Sequence, residues 1–345
     1  MTNTNYLYEE FKSTATKYQA LASNPKNPVF LVTGASGLIG KATVLALLKL
    51  FETAQQSGAV IAQGRNIEKL RLVFNDFLNH PNLILWQANL NEKLAPPLAV
   101  DFIIHTASPT ASKEFIEKPI EVIDSIYNGT KNILDLCFEQ QSKSCVYLSS
   151  MEVYGQVLNE QKISEPDLGY LDCLSLRSSY PEGKRLAELM CTSYAKKKNV
   201  PVKIARLSMI FGPGVDINDR RVLNYFTQQI STNSAIRLQT KGTSKACVLY
   251  IKDAIEGILH LLLQGENGEA YNLANPSNYY SIREMAEIAV SMGAAAVHFP
   301  EEVVDAKQYP KDTFLNLDIS KIQALGWKPE VCLKEIFKHT LASWK

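Results

Sequence analysis

The chain has 345 residues, 46% hydrophobic and 21% charged, enough to bury one large core or two linked ones and unlike a disordered or fibrous protein. Its 36 basic and 35 acidic side chains leave a formal charge of +1, a balance that calls for neither nucleic acid nor an anionic membrane as partner. No apolar run reaches spanning length, and the six cysteines and five histidines follow no paired or metal-ligand spacing, so reduced thiols in a cytoplasm and no local metal site are expected.

Residues 1–28 form an N-terminal extension in which Tyr8, Phe11, Tyr18 and Leu21 recur in a loosely helical pattern, suited to docking on the body or on a partner. Val29 to Val32 is a short apolar run suited to a buried parallel strand, and Gly34, Gly37 and Gly40 follow it at spacings of three. Lys41 to Leu50 is rich in Ala and Leu, so a helix begins where the glycines end. A strand, a Gly-rich turn and a helix N-terminus together suit the pyrophosphate of a dinucleotide, because the turn lets backbone approach the phosphates and the helix dipole favours their charge.

Further strands are expected at 59–62, 83–87, 101–106, 144–149 and 202–207, with helices at 66–78, 120–138 and about 181–198 between them. This alternation predicts an α/β fold, a doubly wound parallel sheet with helices on both faces. The dinucleotide-binding domain spans 29–207. Residues 208–345 read mainly as a smaller mixed α/β C-terminal substrate lobe, with helices at 219–230, 253–263, 281–291 and 331–343, while 248–274 can return to the first domain.

Tyr180 and Lys184 stand four apart at the start of a predicted helix and project from one face. A free phenol has a pKa of about 10, and a nearby ammonium favours the phenolate, making Tyr180 a usable acid or base. Ser150 lies just past the fifth strand, at the carboxyl edge where open α/β sheets bind ligands, and can hydrogen-bond a substrate oxygen.

Thr33-Gly-Ala-Ser-Gly-Leu-Ile-Gly40, His105-Thr-Ala-Ser108, Tyr147 to Gly155, Tyr180-Pro-Glu-Gly-Lys-Arg185, Phe211-Gly-Pro213 and Tyr250-Ile-Lys-Asp253 occur in the order found in extended short-chain dehydrogenases/reductases, which the chain resembles over nearly everything after Pro28. The stretch 177–185 is most similar to UDP-glucuronate decarboxylases, with dTDP-glucose dehydratases and UDP-galactose epimerases more distant. The resemblance implies a Rossmann-type sheet holding NAD or NADP along Gly34, Ser36, Gly37, Leu38, Ile39, Gly40, Arg65, Asn89, Leu90, Thr106, Ala107, Ser108, Tyr180, Lys184 and Leu207. It implies catalysis by Ser150, Tyr180 and Lys184, with Glu152 acting near C5 of a nucleotide sugar after transient oxidation at C4, and a homodimer formed through the long helices.

Several positions depart from that pattern. Met151 stands where dehydratases carry an Asp to protonate the leaving hydroxyl, a task beyond a thioether. Met209, Ala246 and Phe314 or Leu315 occupy the places of polar substrate anchors, leaving Arg221 and Lys245 as candidate phosphate contacts. At the end of the second strand, where an acid would take the ribose of NAD, the chain has Gln63-Gly-Arg65, and an arginine accommodates the 2′-phosphate of NADP. Three functions are therefore weighed: a nucleotide-sugar epimerase or decarboxylase, a net NADP-dependent carbonyl reductase, and a non-catalytic dinucleotide-binding scaffold.

Overall fold

Alternate residues of each central strand face opposite helical layers, and both sets are apolar. Phe30 and Val32, Val60 and Ala62, and Phe102 and Ile104 pack into one cluster, while Leu31, Ile61 and Ile103 pack into the other. Strands buried on both faces are what an all-parallel sheet requires. The computed structural model describes residues 2–157, 159–300 and 312–345, and contains such a sheet of seven strands. We label them β1 (Val29–Thr33), β2 (Ala59–Gly64), β3 (Leu83–Gln87), β4 (Phe102–His105), β5 (Ser144–Ser150), β6 (Val202–Leu207) and β7 (Ala270–Leu273). Their order is 7-6-5-4-1-2-3, every neighbour pair is parallel, and the expected doubly wound sheet is present.

The order reverses between β1 and β4. Consecutive connections leave β1 in one direction and β4 in the other, opening a crevice at the carboxyl ends of these strands. The helices Pro119–Glu139 and Ser179–Lys198 pack together on one face, and Leu38–Ala54 and Ile251–Gln264 on the other.

The helix expected over 66–78 is shorter, Ile67–Val73, followed by a tight turn at Asn75–Phe77. Asn75 and Asp76 favour local backbone bonding over helix continuation. Several strands were not apparent in the sequence. Met209–Phe211 and Lys245–Tyr250 pair in parallel, and Lys245–Tyr250 also joins Tyr279–Ser281 and Phe314–Leu317, forming the spine of a second, smaller sheet.

The N-terminal residues form three short helices, Asn3–Glu10, Lys12–Lys17 and Ala20–Ser23. They dock on the body: Leu7, Phe11, Ala15 and Leu21 are fully buried. Tyr8 Oη donates to Glu52, Lys49 pairs with Glu9 at 2.9 Å, and Tyr250 Oη donates to Glu10 at 2.6 Å. This segment bridges the first helix of the sheet and the C-terminal elements.

Candidate active site

β1 ends at Thr33, and the chain turns at Gly34 with φ +61°. A Cβ there would stand 2.7 Å from the Ala107 Cα, so the Gly-rich turn and the segment after β4 approach as closely as backbones can. A Cβ on Gly40 would fall 2.3 Å from the Gly34 carbonyl oxygen, so the helix Leu38–Ala54 can rise only from a glycine. Gly37 is the N-cap of this helix, is exposed, and supplies no capping side chain. The first-turn N–H groups therefore remain for an outside acceptor, and an anion suits them.

Neighbouring residues lock this cradle. Gln63 accepts from Gly34 N (3.2 Å) through Oε1, donates to the Ala88 carbonyl (2.7 Å) through Nε2, and takes Ala35 N (2.9 Å) on its backbone oxygen. Thr33 Oγ1 lies 2.8 Å from His105 Nδ1 and accepts from Ala107 N, while Thr106 Oγ1 donates to the Thr33 carbonyl at 2.6 Å. Burial, with Lys184 adding to it, lowers His105 to about 3, so its imidazole is neutral and can accept at Nδ1. The hydroxyl of Ser108 is buried without a protein partner among the described residues. An uncapped helix start, a glycine floor and a spare hydroxyl fit a dinucleotide.

At the expected ribose and adenine end, Arg65 follows β2 with its side chain exposed, and its carbonyl accepts from Gln87. Asn89 is engaged in its own turn, donating to Glu92 and accepting from Asn91 N. Leu90 is buried, and its carbonyl is held by Asn132 at 2.8 Å. Leu207, at the end of β6, is also buried.

At the end of β5 the chain folds into a tight turn, Met151–Tyr154, capped by Ser150 Oγ, which accepts from Glu152 N at 3.2 Å. Tyr180 opens the helix Ser179–Lys198, and its ring is 4.4 Å from that of Phe115 at an angle of 4°. Ser150 lies near enough to the Tyr180 hydroxyl to favour the phenolate. One turn along, Lys184 Nζ donates to the Leu148 carbonyl at 2.7 Å and lies 4.7 Å over the Tyr147 ring and 5.7 Å from the Tyr180 ring. Glu152 pairs with Arg177 at 2.8 Å. The structure thus brings Ser150, Glu152, Tyr180 and Lys184 together at the carboxyl edge of the sheet.

The electrostatics differ from the simple expectation that the ammonium lowers the phenol. Burial raises Tyr180 to about 12, Glu152 adds to the rise, and Ser150 and Arg177 oppose it. Burial also lowers Lys184 to about 7, opposed by Glu188 and Cys191. Desolvation outweighs the local charges because both groups are enclosed between helix and sheet.

Arg221 and Lys245 do not join this cluster. Arg221 forks onto Asp219 (2.7 and 3.0 Å), and Lys245 pairs with Glu160 at 3.0 Å. Sequence reasoning missed Gln63 and Arg177, and also a buried network behind the site. There Arg206 pairs with Glu188 at 2.7 Å and donates to Tyr154 Oη and the Glu165 carbonyl, while Ser149 Oγ donates to Glu188. A carboxylate placed at a candidate site invites a search for its counter-ion, and Arg177, three residues before Tyr180, was the available signal.

Comparison with known proteins identifies relatives of the chain. Residues 30–274 match the family model of the NAD dependent epimerase/dehydratase family. The chain is 29% identical over 332 residues to UDP-glucuronic acid decarboxylase 6 of Arabidopsis thaliana, covering 94% of this chain and 92% of that protein. It is 29% identical to UDP-glucuronic acid decarboxylase 1 of Danio rerio, covering 90% and 71%. In fold it is similar to the dTDP-glucose 4,6-dehydratase DesIV of Streptomyces venezuelae, solved with NAD bound (TM-score 0.76, 22% identity, 92% and 96% covered). It is also similar to UDP-glucose 4-epimerase of Thermotoga maritima (TM-score 0.74, 17% identity, 92% and 98% covered). The family match supports a nicotinamide cofactor. From the match over 30–274, the chain belongs to the NAD dependent epimerase/dehydratase family.

Proposed function

We propose that the protein modifies a nucleotide sugar by transient oxidation at C4, and that its reaction is the decarboxylation of UDP-glucuronate. The observation that carries this reading is the convergence of Ser150, Glu152, Tyr180 and Lys184 beside the glycine cradle. The UDP-glucuronic acid decarboxylases among its relatives support it.

When bound in its oxidised form, the nicotinamide supplies a hydride acceptor and one positive charge. Tyr180 takes the proton of the C4 hydroxyl as hydride leaves C4, Ser150 holds that oxygen, and Lys184 steadies the phenolate. The 4-keto sugar so formed is a β-keto acid. Its C5–C6 bond breaks, the electron pair passes into the enolate across C4 and C5, and CO₂ departs. Glu152 moves the proton that returns to C5, and Tyr180 returns its own proton to the C4 oxygen as hydride comes back. Met151 gives no acid for loss of a hydroxyl, which separates this route from dehydration.

Arg65, exposed at the end of β2, favours a second reading: a net carbonyl reductase that consumes NADPH. Incubation with UDP-glucuronate and NAD, followed by mass spectrometry, distinguishes the two. Decarboxylation gives a UDP-pentose lighter by one CO₂, and Tyr180→Phe lowers the rate by about 10²- to 10⁴-fold. An unchanged substrate mass, or unchanged turnover by Tyr180→Phe, overturns the first reading; stoichiometric loss of NADPH with a carbonyl substrate supports the second. The free thiols suit a reducing compartment, and we place the protein in the cytoplasm.

A further inference from the structure

Three side chains from three different elements form one column at the site. The Arg177 guanidinium lies 4.9 Å over the Phe115 ring, and Phe115 is stacked on Tyr180. Ser179 Oγ donates to the Phe115 carbonyl at 2.9 Å, fixing the helix Ser112–Glu117 to the start of the helix that carries Tyr180. From the same position, Arg177 Nη2 reaches Glu152 Oε2 at 2.8 Å. An isolated half-exposed ion pair contributes little, but a planar guanidinium stacked on a ring fixes the direction of its carboxylate partner.

We propose that Arg177 is a positioning residue that holds the Glu152 carboxylate and, through Phe115, the Tyr180 ring, so that the two proton-moving groups are set as one unit. This rests on the roles given above to Glu152 and Tyr180. The charged and titratable groups around Tyr180 are Lys184 on its own helix, Glu152 after β5, Arg177 on the preceding turn, and Tyr147 beneath Lys184. On the helix Ser112–Glu117, Lys113 and Glu117 pair with each other at its exposed side. Without Arg177, the charge of Glu152 beside the phenol is uncompensated and opposes phenolate formation.

The test is the pH–rate profile for UDP-glucuronate with NAD in the wild type, Arg177→Met and Arg177→Lys, with Tyr180→Phe and Glu152→Gln measured alongside. Arg177→Met is expected to lower kcat about ten- to a hundredfold with KM within about threefold, because misplacement of reacting groups acts on the chemical step. The limb reporting loss of the Tyr180 proton should move to higher pH, and Arg177→Lys, which keeps the charge, should return it most of the way. An unchanged kcat and limb overturn the proposal, as does a rise in KM at constant kcat, which makes Arg177 a substrate contact. If Tyr180→Phe and Glu152→Gln abolish turnover while Arg177→Met does not, this proposal alone fails; if those two retain full turnover, the reading of the site fails with it. Independently of turnover, a crystal structure of Arg177→Met should show the Glu152 carboxylate turned from its present position, and an unmoved carboxylate and Tyr180 ring overturn the proposal.

Discussion

Lys184 shows how the fold changes the chemistry of a residue that the sequence had already singled out. Its spacing from Tyr180 was legible because four residues make one helical turn. The state of its charge was not, since that depends on the enclosing sheet: burial brings the amine from 10.5 to about 7. The consequence for stability has a definite sign. Between pH 7 and 10.5 the unfolded chain holds this proton more firmly than the folded one, so stability rises with pH across that window. Below about 7 the full penalty of a buried ammonium is present, on the order of a few kcal/mol. Lys184→Met should flatten the rise, read as the difference in Tm between mutant and wild type from pH 7 to 10. A parallel offset at every pH would show that the lysine is protonated throughout. Arg221, by contrast, was singled out for its charge alone, and the fold commits that charge to Asp219, a partner two residues away that local sequence did not rank.

At the scale of elements, β1, the glycine turn and the following helix were legible because every requirement is local: apolar strand, spaced glycines, good helix formers. The strand Lys245–Tyr250 was missed because it takes its meaning from distant partners at 209–211, 279–281 and 314–317. The N-terminal helices fall between these cases. Their apolar spacing was visible, but whether it met this chain or another was not. Phe11 is fully buried within the main core cluster, and Glu9 and Glu10 are tied to Lys49 and Tyr250 on either side of it. Phe11→Ala should therefore cost about 3–5 kcal/mol, measured by chemical denaturation, in one cooperative transition with the body. A loss below about 1 kcal/mol, or an early separate transition, would make this segment an independent arm.

For the molecule as a whole, the two layers of the sheet end differently. One is covered by the N-terminal helices and the C-terminal lobe. On the other, the helices Pro119–Glu139 and Ser179–Lys198 pack against each other and the sheet, yet their outer sides carry Ile120, Ile123 and Tyr127 at 70%, 43% and 41% exposure and Leu186 and Leu189 at 42% and 62%. Spacings of three and four place 120, 123 and 127 on one helical face, and 186 and 189 on another. Single exposed apolar residues are ordinary; two adjacent stripes are not. We propose that a second copy covers them about a two-fold axis, since a self-complementary patch then buries both stripes at once. Light scattering at micromolar concentration should give twice the chain mass, and Ile120→Glu with Leu189→Glu should give the monomer without loss of helical circular dichroism, because neither side chain supports the core. A wild-type monomer at that concentration overturns the dimer, and a dimer that survives both charges places the contact on another face.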